Sequence, residues 1–584
     1  MASGFWLWLK ISGLALTLIG WGDLAVRVIA GKKSSQSPAA IPTFFESGIA
    51  GLCAVYLVSI AASTVCALGG PTQWIFVATG AAGLVALGKR GFQSARDGWT
   101  VFVIFAGLSA FIAYGTIRTE WNYDAGLYHL QEVAYFRSGP LPLGIANIHS
   151  RLGFNSSWFA ISALCAGPVF GQEGSLLLNA AAMVIFLGAL ASRLIQGLRT
   201  GALGIAATLA AAVLLIFVAC GALFWHFGLS PSPDLPSALS CAYTFCAFLT
   251  FAQGLGDSEQ ARSGRAGAPA LSLLAMVLSA SLAVTAKLSQ VPVLLLAVPM
   301  VALKSLRFGI REVPHLYRIL SFGALIIAGW MVQGIMTSGC FAYPAGASCL
   351  SFLPWAADPA KANLTASTIH SWAQVAGTPA SRIPPGIGWV SIWYDQVFRW
   401  REFAAAAVWI GLGLLLVGGV LSVWRLCSNE KNWTASRRDL VTCARLALLI
   451  SVIGVAFWFL AAPDPRFGLG FLVAAPALGF ALLAGPMLHR GAGIAGRLGF
   501  LIVPVLVLAA SVFAADQLYE SKSPRWSWRQ VPAPQLFTTT STGGVTMRVP
   551  AEGDQCWDAA IPCTPEPPAT LQRSTLLGHV MYSR

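Results

Sequence analysis

Charged side chains are scarce in this 584-residue chain: Asp, Glu, Lys and Arg make up 10% of it, and only 23 residues are acidic. A soluble domain carries about 25% charged residues, so the scarcity excludes an ordinary water-soluble globular protein. No GxxxxGK[ST] loop is present to cradle a nucleotide's phosphates, which argues against an ATP-driven pump. The HExxH pair of zinc hydrolases is missing too. No convincing internal repeat appears, and no stretch reads as a soluble catalytic domain.

What is present is apolar length. Hydrophobic residues make up 56% of the chain, with 21 Trp and 33 Phe, and the mean hydropathy is +0.69. Runs such as 201–229 and 404–424 match the roughly 20 residues needed to cross a hydrocarbon core of about 30 Å. About 14 spans are predicted, over 5–30, 43–68, 71–88, 99–117, 174–198, 202–228, 235–255, 268–286, 289–303, 318–337, 402–424, 441–462, 467–487 and 498–515. The expected fold class is an all-α polytopic integral membrane protein. Lys10 interrupts the first apolar run and no clear small-residue cleavage site follows, so that span is read as uncleaved.

The net charge of +14 would suit a nucleic-acid binder, but the cations are dispersed over alternate loops instead of forming one stripe. Lys32/Lys33, Lys89/Arg90/Arg96, Arg262/Arg265, Lys304/Arg307/Arg311/Arg318, Arg425/Lys431/Arg437/Arg438 and Arg490/Arg497 fall on one side, read as cytoplasmic because basic loops are retained there. The loops 118–173, 230–236, 338–401 and 463–467, the tail 516–584 and both termini are then exoplasmic. Two close cysteine pairs, Cys340/Cys349 and Cys556/Cys563, fall in these outer segments, where an oxidising compartment would make each a local disulfide. Four thiolates around one zinc would instead require two distant segments to meet. The expected organisation is an N-terminal transmembrane unit over 1–98, a transmembrane body over 99–515 and a small exoplasmic cap, extended or strand-containing, over 516–584.

Polar chemistry concentrates in WNYDAGLYHLQEVAYFRSGPLPLGIANIHSRLGFNSSW, from Trp121 to Trp158. Asp124 stands near a helix N-terminus, as a cap or as a functional carboxylate, and α-helical spacing puts Asp124, Tyr128 and Glu132 on one face. His129 and His149 suit acid–base work, phosphate binding or metal ligation, although their spacing matches no metal motif; both equally suit ordinary hydrogen-bonded interface histidines. Arg137 and Arg151 offer planar forks for a phosphate or anchors for lipid headgroups. Asp234 ends the SPSPD turn, and Asp464 and Arg466 sit in PDPRF. Lys287 lies in the apolar TAKLS hairpin, where an unpaired ammonium costs about 2.5–3.5 kcal/mol, so it needs an anion or must snorkel.

A large outer loop with an Asp near its start, two interfacial helices and a multispanning body resemble the GT-C superfamily of membrane glycosyltransferases, over roughly residues 99–515. The pieces YDAGLYHLQ, NIHSRLGFNSSWF, SPSPDLPS, TAKLS, PDPRFGLGF and CWDAAIPCTP resemble a bacterial branch of it. That resemblance implies a multi-pass protein of a bacterial inner membrane with a periplasmic active site. Its reaction would move a sugar from a polyprenyl-phosphate donor to a hydroxyl of a glycan or lipid-glycan acceptor, for cell-envelope assembly. By motif match Asp124 would be the catalytic base, with Lys287, Arg151 and Arg466 on the donor phosphate. His129, His149, Asn155, Asp234, Tyr128, Asp464 and Glu120 would bind sugar or acceptor. Some GT-C groups carry adjacent paired acids in this loop; here Glu120 precedes Asp124 without such a pair, which leaves a divalent metal open. Two other readings fit a multispanning chain: a flippase of lipid-linked saccharide, and a polysaccharide polymerase or ligase using Arg382, Asp395, Arg399 and Arg401.

Overall fold

The computed structural model describes residues 2–36, 41–117, 122–199, 204–219, 227–256, 267–378, 380–399, 435–488 and 531–583. Among them nine helices are long and apolar enough to cross a membrane. They are Gly4–Ile29, Thr43–Ser63, Ala95–Thr116, Gly174–Arg199, Asp234–Leu255, Pro269–Ala286, Leu316–Ser338, Arg438–Ala461 and Pro465–Leu482. The protein is thus helical and multi-pass. The expected spans 402–424 and 498–515 lie outside the described residues, as does part of 202–228, whose remainder forms the short apolar helix Ile205–Phe217.

Two expectations change in detail. Residues 71–88 do form a helix, Thr72–Arg90, but it is not among the nine apolar enough to span. Residues 289–303 are not one α-helix: Pro292 lacks an N–H, and the segment runs as a 3-10 helix over Leu288–Leu296 and an α-helix over Ala297–Ala302. It then bends by 90° into Lys304–Arg311, where Gly309 packs against Leu255.

Small residues let the helices approach closely. A Cβ on Gly20 would stand 1.9 Å from the carbonyl oxygen of Gly80, so only glycine allows the first and third helices to touch backbone to backbone. One buried ionic group ties helices together near the start of Thr43–Ser63 and the end of Gly174–Arg199: Arg193 donates through Nε (2.9 Å) and Nη2 to Glu46 Oε1, which also accepts the Tyr243 hydroxyl. A lone charge there would face lipid or apolar side chains, so pairing is what makes it tolerable.

Between Ala95–Ile117 and Gly174–Arg199 the chain forms a buried interfacial layer. It contains a π turn (Ala125–His129), the helix Leu130–Ser138, two 3-10 turns (Ile145–Asn147 and Ser150–Gly153) and the helix Ser157–Cys165. Ser156 caps the last of these by accepting the Trp158 N–H. The C-terminal cap consists of two antiparallel hairpins, β1 (Leu536–Thr540) with β2 (Thr546–Pro550), and β3 (Gln572–Leu576) with β4 (His579–Ser583). It docks on the interfacial layer through Leu143 N–H to the Val580 carbonyl (2.8 Å), Tyr582 N–H to the Leu143 carbonyl (2.9 Å) and the Asn147 amide to the Tyr582 carbonyl (3.1 Å). The Asn147 amide also reaches the Trp355 carbonyl, binding the 338–378 segment into the same layer. Both expected disulfides, Cys340–Cys349 and Cys556–Cys563, are formed.

Candidate functional site

Four chain segments deliver charge to one end of the bundle. Asp234 opens the helix Asp234–Gly256, and Lys287 directly follows the helix Gly267–Ala286. Arg466 is the second residue of Pro465–Leu488, and Asp124 precedes the π turn. Helix ends are where the backbone can turn and a polar side chain can leave the apolar body, so charge gathers there without stranding in lipid.

Arg466 is the hub. Its Nη1 donates to Asp124 Oδ2 at 2.7 Å, its Nε to Asp464 Oδ2 at 3.1 Å, and Asp234 Oδ2 stands 4.0 Å away. Asp464 also accepts the Arg466 backbone N–H at 3.0 Å, fixing the start of that helix. Lys287 pairs with Asp234. Its ammonium lies 3.7 Å from the ring centre of Phe467, and the Arg466 guanidinium stacks near both Phe467 (4.9 Å) and Trp372 (5.1 Å). Ser289 and Gln290 donate to the Phe467 carbonyl (2.9 and 3.0 Å), locking the lysine segment onto the arginine helix.

Asp124 makes no side-chain capping bond, so the capping expectation gives way to the pairing with Arg466. The shared face of Asp124, Tyr128 and Glu132 is likewise corrected. A π turn holds more residues per turn than an α-helix, which leaves Tyr128 and His129 within electrostatic range of Asp124 and Glu132 out of it. Glu132 is fully buried, and neither carboxyl oxygen has a hydrogen-bond partner among the described residues.

The charge states follow from burial and company. Burial alone would raise the Asp124 carboxyl, but Arg466, His129 and Arg151 hold it down at about 2. Burial draws His129 down to about 4 against the pull of Asp124 and Asp234, and His149, beside Arg151, is also drawn down to about 4. Both imidazoles are neutral at physiological pH. Burial lowers Lys287, opposed by Asp234. Burial pushes the Glu132 carboxyl well above the usual carboxyl range.

The remaining candidates divide. Arg151, half-buried, stands within electrostatic range of Asp124, Tyr128 and His149, and its guanidinium makes no hydrogen bond or ion pair among the described residues. Asn155 is not brought to the hub: its amide donates to the Trp330 carbonyl and its own carbonyl accepts the Trp330 indole N–H at 2.8 Å, fastening the layer to Leu316–Ser338. Glu120 lies outside the described residues, as do the Arg399 side chain and Arg401, while Arg382 and Asp395 are exposed. Among the described residues no three His, Cys, Asp or Glu side chains gather as a metal-ligand group. Sequence reasoning missed Trp372 and Phe467 as partners of the cations. Phe467 directly follows Arg466 and was open to notice; nothing local marks Trp372.

These features define a multi-pass helical membrane protein with an ionic site at one end of its bundle and a disulfide-bonded cap docked on the neighbouring interfacial layer. A family model described as a domain of unknown function (DUF8201) matches residues 1–473, and the chain belongs to that family. No curated protein and no solved structure matches it.

Proposed function

We propose that the protein is a membrane glycosyltransferase that moves a sugar from a polyprenyl-phosphate donor to an acceptor hydroxyl, working at the periplasmic face of a bacterial inner membrane through a GT-C-like body over residues 99–515 in a chain of about 14 spans. The observation that carries this reading is the Asp124–Arg466 pair, a carboxylate and a guanidinium with Lys287 alongside and Arg151 within electrostatic range. Placement of all the charges at helix ends supports a one-sided enzyme over an escort of substrate through the midplane.

In this reading the acceptor oxygen attacks the anomeric carbon while Asp124 takes its proton, and the carbon–oxygen bond to the donor phosphate breaks. The bonding pair leaves with polyprenyl phosphate, whose added charge Arg466, Lys287 and Arg151 stabilise. A carboxylate held at about 2 is a weak base. A donor phosphate that draws Arg466 toward itself would release Asp124 to a higher proton affinity as the donor binds. Neutral His129 with Tyr128, Asp234 and Asp464 would face the sugar or acceptor, with His149 behind Arg151.

The test is transfer of radiolabelled sugar from a panel of synthetic polyprenyl-phosphate sugars by purified protein in lipid, comparing wild type with Asp124→Asn. Transfer that depends on Asp124 with any donor supports the enzyme and names its sugar. No transfer from any donor, with labelled lipid instead crossing proteoliposome bilayers, replaces it with a flippase.

A further inference from the structure

The disulfide-closed loop of the cap grips the turn that carries Asp124. Trp557 donates its backbone N–H to the Gly126 carbonyl at 2.8 Å. Gln131 reaches back with its amide to the carbonyls of Trp557 (3.0 Å) and Ala559 (2.8 Å). On the other flank Gln555 donates to the Tyr123 carbonyl at 2.8 Å, and the Tyr123 hydroxyl donates to Asp554. The contacts therefore bracket the π turn, at residues 123, 126 and 131, from one continuous stretch, with Asp554 and Gln555 just before the loop closed by Cys556–Cys563 and Trp557 and Ala559 inside it.

The fit is tight at its centre. The Trp557 indole lies flat against Gly126, where a Cβ would stand 2.6–2.9 Å from ring atoms. Trp557 itself adopts a left-handed backbone conformation, φ 49°, a position non-glycine residues hold only when surroundings impose it. A π turn is the rarer local choice, because its widened ring gives poorer packing along its own axis than an α-helix. Here Leu130 N–H bonds to the Ala125 carbonyl, five residues back, and the Gly126 carbonyl takes its hydrogen bond from Trp557. Without that external donor and ring, the segment would relax toward α-helical register. In α-helical register Tyr128 would stay beside Asp124, four residues on, but His129, five residues on, would turn by about 100° to another face; the wider π turn keeps both near the carboxylate.

We infer that Trp557 is a positioning residue, and that the loop Asp554–Cys563 holds the π turn so that Asp124, Tyr128 and His129 face Arg466 together. The cap lies beyond the matched residues 1–473, so this support comes from a part of the chain that the family model does not span. The activity arm of the test rests on the proposed glycosyl transfer; the structural arm does not.

The experiment compares wild type, Trp557→Ala, Trp557→Phe and Gly126→Ala in lipid nanodiscs, by hydrogen exchange and by sugar transfer. The expected result for Trp557→Ala is exchange over 122–133 faster by roughly 10-fold or more, with the helix Pro465–Leu488 unchanged. Transfer kcat falls roughly 10-fold or more at nearly constant donor KM, and Trp557→Phe restores most of it. Gly126→Ala, which disturbs the same contact from the opposite side, gives the same pattern and decides the matter if Trp557→Ala loosens the whole cap. Unchanged exchange over 122–133 in both Trp557→Ala and Gly126→Ala overturns the inference, as does faster exchange there with wild-type kcat. If wild type transfers no sugar from any donor, the proposed function fails, and the exchange data alone decide whether the loop holds the turn.

Discussion

Arg466 Nη1 donates to Asp124 Oδ2 across 2.7 Å, joining residues 342 positions apart in the chain. The same guanidinium serves Asp464 and stands 4.0 Å from Asp234, so one arginine is shared by three carboxylates.

Removing that arginine leaves carboxylates unpaired in a largely buried site. Arg466→Gln is expected to destabilise the protein by about 3–5 kcal/mol, the scale of a broken buried ion pair. Adding Asp124→Asn to it recovers part of the loss, because the uncompensated carboxylate is gone. Thermal unfolding of the two single variants and the double variant measures the coupling, and strict additivity would mean that the two side chains do not interact.

Lys287 has a partner in Asp234 and an aromatic platform in Phe467. Lys287→Ala is expected to raise donor KM by roughly 10-fold or more with little change in topology, since an ammonium on a phosphate contributes about 1.5–3 kcal/mol. An unchanged donor dependence would reduce this lysine to a counter-ion for Asp234.

Acid should weaken the fold through its histidines. His129 and His149 are drawn down to about 4, below the value of about 6.5 they recover when unfolded. Between those limits the unfolded chain binds more protons than the folded one, so stability falls as pH drops from about 6.5 to about 4. Asp124 extends the loss further down: its contribution is intact above about 4 and disappears as pH falls through about 2. Melting temperatures across this range, with His129→Gln as comparison, check the slope; the variant should flatten it.

Glu132 acts in the opposite direction. Its folded value is raised, so its contribution is complete below the unfolded value near 4.5 and declines as pH rises above it. Glu132→Gln, which keeps the shape of the protonated acid, should therefore leave stability at pH 5 nearly unchanged and raise it at pH 8. A variant equally destabilised at both pH values would show that the carboxyl is ionised in the folded protein.

The residues that meet around Arg466 were legible as candidates for a simple reason: in an apolar chain each buried charge must have a partner, so Asp124, Asp234, Lys287 and Arg466 stand out one by one. Their mutual pairing was not legible, because it joins segments hundreds of residues apart. Nor was the π turn, since α-helical and π-helical spacings differ by about one residue per turn and the side-chain pattern of 124–132 suits either. Asn155 shows the limit of residue type as a guide; it carries the right chemistry for a sugar but is held by Trp330. Among the described residues, helix existence was read well at the nine long apolar runs, and less well at 289–303, where Pro292 interrupts the pattern and a 3-10 helix replaces the α-helix.

That interruption has a consequence for reach. The chain leaves the ionic site at Lys287, and Gly309 lies against Leu255, at the far end of the helix that Asp234 begins. Most of the connection between them is Leu288–Ala302, which bends by 90° into Lys304–Arg311. A 3-10 helix rises about 2.0 Å per residue against about 1.5 Å for an α-helix, so Leu288–Leu296 followed by Ala297–Ala302 extends about 27 Å where a continuous α-helix would extend about 22 Å. Stretching the backbone replaces lengthening the sequence in joining the two ends of Asp234–Gly256, and Leu316–Ser338 then leads into the 338–378 segment, whose Trp372 lies against Arg466.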